Sequence, residues 1–164
     1  MAIVEIMKNN YYSVTSIENL VKYVTDYNKT HGLIGAIGTN PNEVDKMISQ
    51  MMAVKYAYGK SNGYRQARHI VVSFKENEVV SQEVVYDIAY DIARFYADRY
   101  QICFGVHWNT DNLHIHFVQN TVSYVDGKLF SGNWVELNWF RQYVNCVVDM
   151  NLHIKSAIQL IEEL

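Results

Sequence analysis

Apolar positions recur along this chain with two periods, and the switches between them lay out the elements. MAIVEIM alternates apolar and polar side chains, which predicts a strand over residues 2–7. Ile17, Leu20, Val21 and Val24 fall at i, i+3, i+4 and i+7, the stripe of a helix over residues 13 to about 27 with Ser13 or Ser16 as N-cap. Residues 31–38 are punctuated by glycine and have room for one short strand. In TNPNE, Asn40 suits an N-cap, Pro41 the first helical position and Glu43 the third. A second helix is therefore expected to about residue 56, with Val44, Met47, Ile48 and Met51 inward.

RHIVVSF, residues 68–74, is a β-branched strand with two alternating faces. Ser81 then caps a long helix with the stripe Val85, Ile88, Ala89, Ile92 and Tyr96. Residues 101–107 and 113–121 are two more strands, and Asp126-Gly127 suits a tight turn. Asn133 and Glu136 form a capping box for a last helix to about residue 150, with Leu137, Phe140, Val144 and Val148 inward. The order β-α-β-α-β-α-β-β-α predicts an α+β fold: a central antiparallel sheet of about five strands with helices largely on one face.

Composition narrows this picture. The chain has 164 residues, 49% hydrophobic and 19% charged, and no repeat, low-complexity tract or proline-rich linker divides it. One domain over residues 1–164 is expected. The net charge of -3 argues against a protein held to polyanions by charge alone, but leaves room for a local basic groove. Cys103 and Cys146 lie far apart without CxxC spacing, so neither a zinc knuckle nor a disulfide framework follows. With no apolar run approaching the roughly 18 residues of a membrane span, and no leader-like start, a cytoplasmic protein without a membrane partner is expected.

The chemistry concentrates in HWNTDNLHIHF, where His107, His114 and His116 are spaced His-x6-His-x-His. In a strand, His114 and His116 share a face about 7 Å apart. The connection between the two strands carries Asn, Thr and Asp, all turn formers; a hairpin there puts His107 opposite His114, with Cβ atoms roughly 5 Å apart. A lone strand histidine is ordinarily just a polar surface residue. Three that converge form a ligand set with coordination positions left open, as catalytic metals need. Imidazole ligands by themselves suit zinc, copper, iron or nickel.

HWNTDNLHIHFVQN, preceded by SVTSIENLVKYVTDYNKT, by the YGK…RQ loop and by RHIVVSF, and followed by DGK…N before the last helix, resembles the relaxase/mobilisation-nuclease family of conjugative plasmids and transposons. The branch is the VirD2-like, MOBP-type one of the HUH endonucleases. The resemblance implies a metal-dependent, site- and strand-specific endonuclease that nicks single-stranded transfer-origin DNA through a 5′-phosphotyrosyl intermediate. It carries the three metal-binding histidines onto His107, His114 and His116, and the nucleophile onto Tyr23 in NLVKYVTDY. Tyr27 stands in reserve, followed by Tyr11 and Tyr12; with 13 tyrosines in the chain, none stands out without the resemblance. On a helical wheel Tyr23 lies about 120° from Ile17, at the edge of the apolar stripe.

The metal the family implies is magnesium or manganese, with zinc or nickel open on ligand type. The implied partners are single-stranded DNA, accessory relaxosome proteins and a coupling protein. His69 is expected behind the ligands or against phosphate, and Asp111 as acceptor of an imidazole N–H. Lys60, Tyr64, Arg65 and Arg68, around a glycine loop, are expected to contact DNA. The chain departs from the family where Asn109 and Asn112 replace an aspartate and a histidine common in relatives, and in its 14 cations against 17 acids. Two other functions are compatible with these residues: a catalytically weakened DNA-binding or assembly module, and a rolling-circle replication initiator.

Overall fold

The computed structural model describes residues 2–75, 78, 81–108 and 111–164. Strands β1 (Ile3–Ile6), β2 (Ile34–Ile37), β3 (Ala67–Ser73), β4 (Ile102–His107) and β5 (His114–Asn120) form one antiparallel sheet in the order β1-β3-β5-β4-β2. The β4–β5 hairpin sets His107 opposite His114 and Gly105 opposite His116. On the other side of β5, β3 sets Ser73 opposite His114 and Val71 opposite His116. Since side chains alternate, His69, Val71, Ser73, His107, His114 and His116 all stand on one face.

The α+β class and the five-stranded antiparallel sheet are as the sequence predicts. The two longest helices, α4 (Gln82–Ala97) and α5 (Trp134–Glu162), share one face. There Ile88, Ile92, Phe140 and Val144 pack on Ile70, Val72, Phe104, Val106, Ile115 and Phe117. The opposite face, which holds the histidines, is partly covered by α1 (Ser16–Val24) and α3 (Val44–Ala57). Ile17, Leu20, Val21, Met47 and Met51 meet Ala67, Cys103 and Val118 there. The central strands are buried on both sides, so helices cover both faces and not largely one as expected. Each large apolar side chain buried there contributes roughly 1.5–3 kcal/mol.

The helix expected over residues 13–27 is broken in two. Val21 O takes both the Thr25 backbone N–H (2.9 Å) and the Thr25 hydroxyl (2.7 Å), closing α1. Asp26 accepts from Asn28 N at 3.0 Å and opens the one-turn α2 (Tyr27–Thr30). Adjacent Thr and Asp side chains compete with the helical ladder for backbone groups. Asn40 accepts from Asn42 N and Glu43 N at 2.9 and 2.8 Å, but the regular helix begins only at Val44. Asn133 caps α5 through Glu136 N at 2.9 Å, as its sequence predicts. That helix runs past residue 150 to Glu162, because Ile154, Ile158 and Ile161 keep the period and no Gly or Pro intervenes.

One glycine sets how closely α1 approaches the sheet. A Cβ on Gly105 would lie 2.0 Å from Val24 O, so only the missing side chain lets the end of α1 rest on β4.

Candidate active site

Tyr23 sits in the last turn of α1, between the buried Val21 and Val24, with its ring turned over the sheet. Its ring is edge-on to His69, His107 and His116, at centroid distances of 6.2, 5.8 and 5.9 Å. It is 46% exposed, so solvent and a substrate both reach it. Lys29, on α2, places its ammonium 3.6 Å from the centre of the same ring. Tyr23, Lys29, Glu5, Ser73 and the three motif histidines line one open cleft of about 390 Å³.

Hydrogen bonds fix the imidazoles. His107 Nε2 donates to Val24 O at 2.9 Å, which leaves its Nδ1 lone pair free and ties β4 to α1. His116 Nδ1 lies 3.0 Å from His69 Nε2, and His69 Nδ1 lies 3.1 Å from the Tyr11 hydroxyl. Asn9 Nδ2 donates to that hydroxyl at 3.0 Å. If His116 donates along this chain, its Nε2 keeps a lone pair for the cleft.

Burial, reinforced by neighbouring imidazoles, pulls the pKa of His116 down to about 3. Burial and His107 likewise pull His69 down to about 4. His107 is also lowered, by burial first, while its bond to Val24 acts the other way. At neutral pH these rings are neutral, the state in which imidazole binds metal.

Neutral imidazoles facing an open cleft are a donor set that fits a divalent ion. Their orientation is not that of a closed ligand shell. The His107 and His116 rings stack at 4.0 Å and 25°, and the His114 ring lies 6.2 Å from that of His116. Among the described residues no three His, Cys, Asp or Glu side chains converge as ligands. The spacing therefore gathers the rings on one face, as predicted, but does not point them at one spot. The bonds to Val24 and His69 set the ring angles instead.

A family model described as the nuclease domain of MobA/VirD2-like relaxases matches residues 23–148, a span that holds Tyr23, Lys29 and all four clustered histidines. The chain belongs to this relaxase family. Two relatives from Staphylococcus aureus, both described as Protein rlx, are similar to it. One is 30% identical over 100 residues, 61% of this chain and 30% of the relative. The other is 32% identical over 91 residues, 56% of this chain and 28% of the relative. The match thus spans under a third of each relative's length.

Within this relaxase domain the remaining expected residues are dispersed. Tyr27 lies beyond the break at Thr25–Asp26, is 72% exposed and packs near His31 rather than lining the cleft. It is not on the flank of Tyr23, because the two belong to different helices. Tyr12 is exposed. Asp111 is exposed and makes no hydrogen bond to an imidazole among the described residues; Val24 and His69 serve His107 and His116 instead. Asn109 lies outside the described residues.

Of the four expected DNA contacts, Tyr64 is exposed and Arg65 half-buried, its Nε donating to Ala67 O at 3.2 Å. Lys60 is bound to the carbonyl of Gly127 and clamps two loops. Arg68 is buried on the face opposite the histidines, as its place one residue before His69 in β3 requires. Its guanidinium lies over Phe130 (4.5 Å) and Tyr96 (5.1 Å), 3.8 Å from Glu136 and 3.3 Å from Gln119 Oε1, turned away from the histidine face. Sequence reasoning passed over Lys29, Glu5 and Gly105. Only Gly105, an isolated glycine in a strand, carried a local signal. Among the described residues no helix is long and apolar enough to cross a membrane.

Proposed function

We propose that this relaxase domain cuts one strand of DNA by transesterification, with Tyr23 as nucleophile and His107, His114 and His116 holding magnesium or manganese. The seating of the Tyr23 ring over the imidazole cluster, with Lys29 against it, supports the reading. Tyr23 Oη attacks the scissile phosphorus and forms a new O–P bond. The bond to the 3′ oxygen breaks, leaving a 5′-phosphotyrosyl end and a free 3′-hydroxyl. The phenolic proton passes to water at the cleft mouth, and the departing oxygen takes up a proton from the same solvent. The phosphodiester is exchanged and not hydrolysed, so the reverse reaction rejoins ends.

An ion held by His107, His114 and His116 would supply the charge that polarises a non-bridging phosphate oxygen. Lys29 adds a positive charge on the same side of the cleft and favours the charge that builds on phosphate. His69 orients His116, and Tyr11 orients His69. Single-stranded transfer-origin DNA is the proposed substrate, with Tyr64 and Arg65 along its path; accessory relaxosome proteins and a coupling protein are proposed partners.

Incubation with manganese and single-stranded oligonucleotides should give a covalent adduct on a denaturing gel. Tyr23→Phe should remove it, and an adduct that persists in this variant assigns the attack to another residue. The stacked His107 and His116 rings favour one competing reading, a DNA-binding or assembly module with weakened catalysis. Binding without any adduct is its signature.

A further inference from the structure

A second cleft, of about 500 Å³, opens on the face away from the histidines, at the end of the sheet where β3 begins. Arg65, Arg68, Phe130, Trp134 and Glu136 line it. Trp134 is 68% exposed at the start of α5 and is the exposed aromatic side chain that lines this cleft. The Arg141 guanidinium lies 5.5 Å from the centre of its ring. Glu136 is held from one side only. Its Oε1 accepts from the Tyr96 hydroxyl and faces Arg68, while its Oε2 is buried with no partner among the described residues. A desolvated carboxylate oxygen without a donor is costly, and a ligand N–H would satisfy it.

Arg65 lines this cleft and lies close enough to Tyr11, behind the histidine cluster, for its charge to be felt there. The Tyr11 hydroxyl touches His69 and feels the charge of Arg65, and Gln66 N donates to Tyr11 O at 2.6 Å. We propose that this cleft holds one nucleotide of the bound single strand, its base stacked on Trp134, an exocyclic amino group donating to Glu136 Oε2, and a phosphate on Arg65. The inference rests on the nuclease reading for the strand's origin. Stacking on an exposed indole accepts any base. The carboxylate adds a preference, since it accepts from the cytosine amino group and repels the O4 acceptor of thymine.

Fluorescein-labelled oligo-dC and oligo-dT of equal length, followed by anisotropy with the whole chain, test this. Oligo-dC should bind tighter than oligo-dT by roughly fivefold or more. Trp134→Ala should weaken oligo-dC binding by roughly fivefold or more and melt within about 3 °C of the parent, its side chain being mostly exposed. Glu136→Gln, whose amide offers an N–H to O4, should narrow the dC/dT ratio. Should that variant unfold early through loss of its Tyr96 and Arg68 contacts, Trp134→Ala decides alone. Equal affinity for the two oligomers, or unchanged binding by Trp134→Ala, overturns the subsite. A covalent adduct formed without base preference discards the subsite and keeps the nuclease. Base preference through Trp134 with no adduct does the reverse, and no binding at all discards both.

Discussion

Lys29 is the side chain whose place beside Tyr23 shows only when the chain is folded. It lies in a one-turn helix, yet its ammonium sits 3.6 Å from the Tyr23 ring centre, and its carbonyl takes Trp108 N at 2.8 Å. Lys29→Met should lower the rate of adduct formation by about 10²-fold, the usual effect of removing one charge-stabilising donor. Lys29→Arg should recover part of it in a single-turnover gel assay; equal rates for parent and Lys29→Met would remove Lys29 from the mechanism. Lys55 is buried more completely, its Nζ donating to Gln66 O at 2.6 Å, and burial pulls its pKa from 10.5 down to about 7. Between those values the unfolded chain holds a proton that the folded chain has lost, so this residue makes stability rise with pH. Urea unfolding should show the parent gaining on Lys55→Met from pH 7 to about pH 9.5; a flat difference would contradict the assignment.

The site is assembled at the level of elements by a close approach between α1 and β4. Gly105 permits it, the His107–Val24 bond fastens it, and Tyr23 is carried over the imidazoles as a result. Gly105→Ala puts a methyl group into Val24 O and should cost about 2–4 kcal/mol. Denaturant melts should show that loss, and the adduct should disappear even at temperatures where the variant is folded. The hairpin itself was legible: the turn formers after His107 and the alternation around His114 fix the register that sets them opposite each other. The break at Thr25–Asp26 was not, because the apolar stripe of α1 gives no sign of where side-chain oxygens will take over the backbone groups. Tyr27 is therefore separated from Tyr23 although the sequence suggests one helix.

Across the molecule, charge and metal must be reckoned together. With a net charge of -3, the proposed DNA substrate would be drawn by local cations and by an ion held at the histidines, not by a basic surface at large. Manganese at about a hundredfold excess over its Kd should stabilise the fold by about 2.7 kcal/mol. A calorimetric scan should show the upward shift of Tm in the parent and its loss in His107→Ala and His116→Ala. The shift is compared, not the starting Tm, since His107→Ala also loses the bond to Val24. An equal shift in parent and variants would place the ion elsewhere.

Local sequence by itself determined the strands, the hairpin, the Asn133 cap and the sharing of one face by His107, His114 and His116, because side-chain alternation and turn chemistry act over a few residues. Tertiary structure alone decided that Tyr23, Lys29 and His69 meet those histidines with Tyr11 behind His69, that Arg68 turns inward, and that Trp134 is left open to water. These outcomes depend on which helix covers which face and how closely, and such distances are set by packing between segments far apart in the chain.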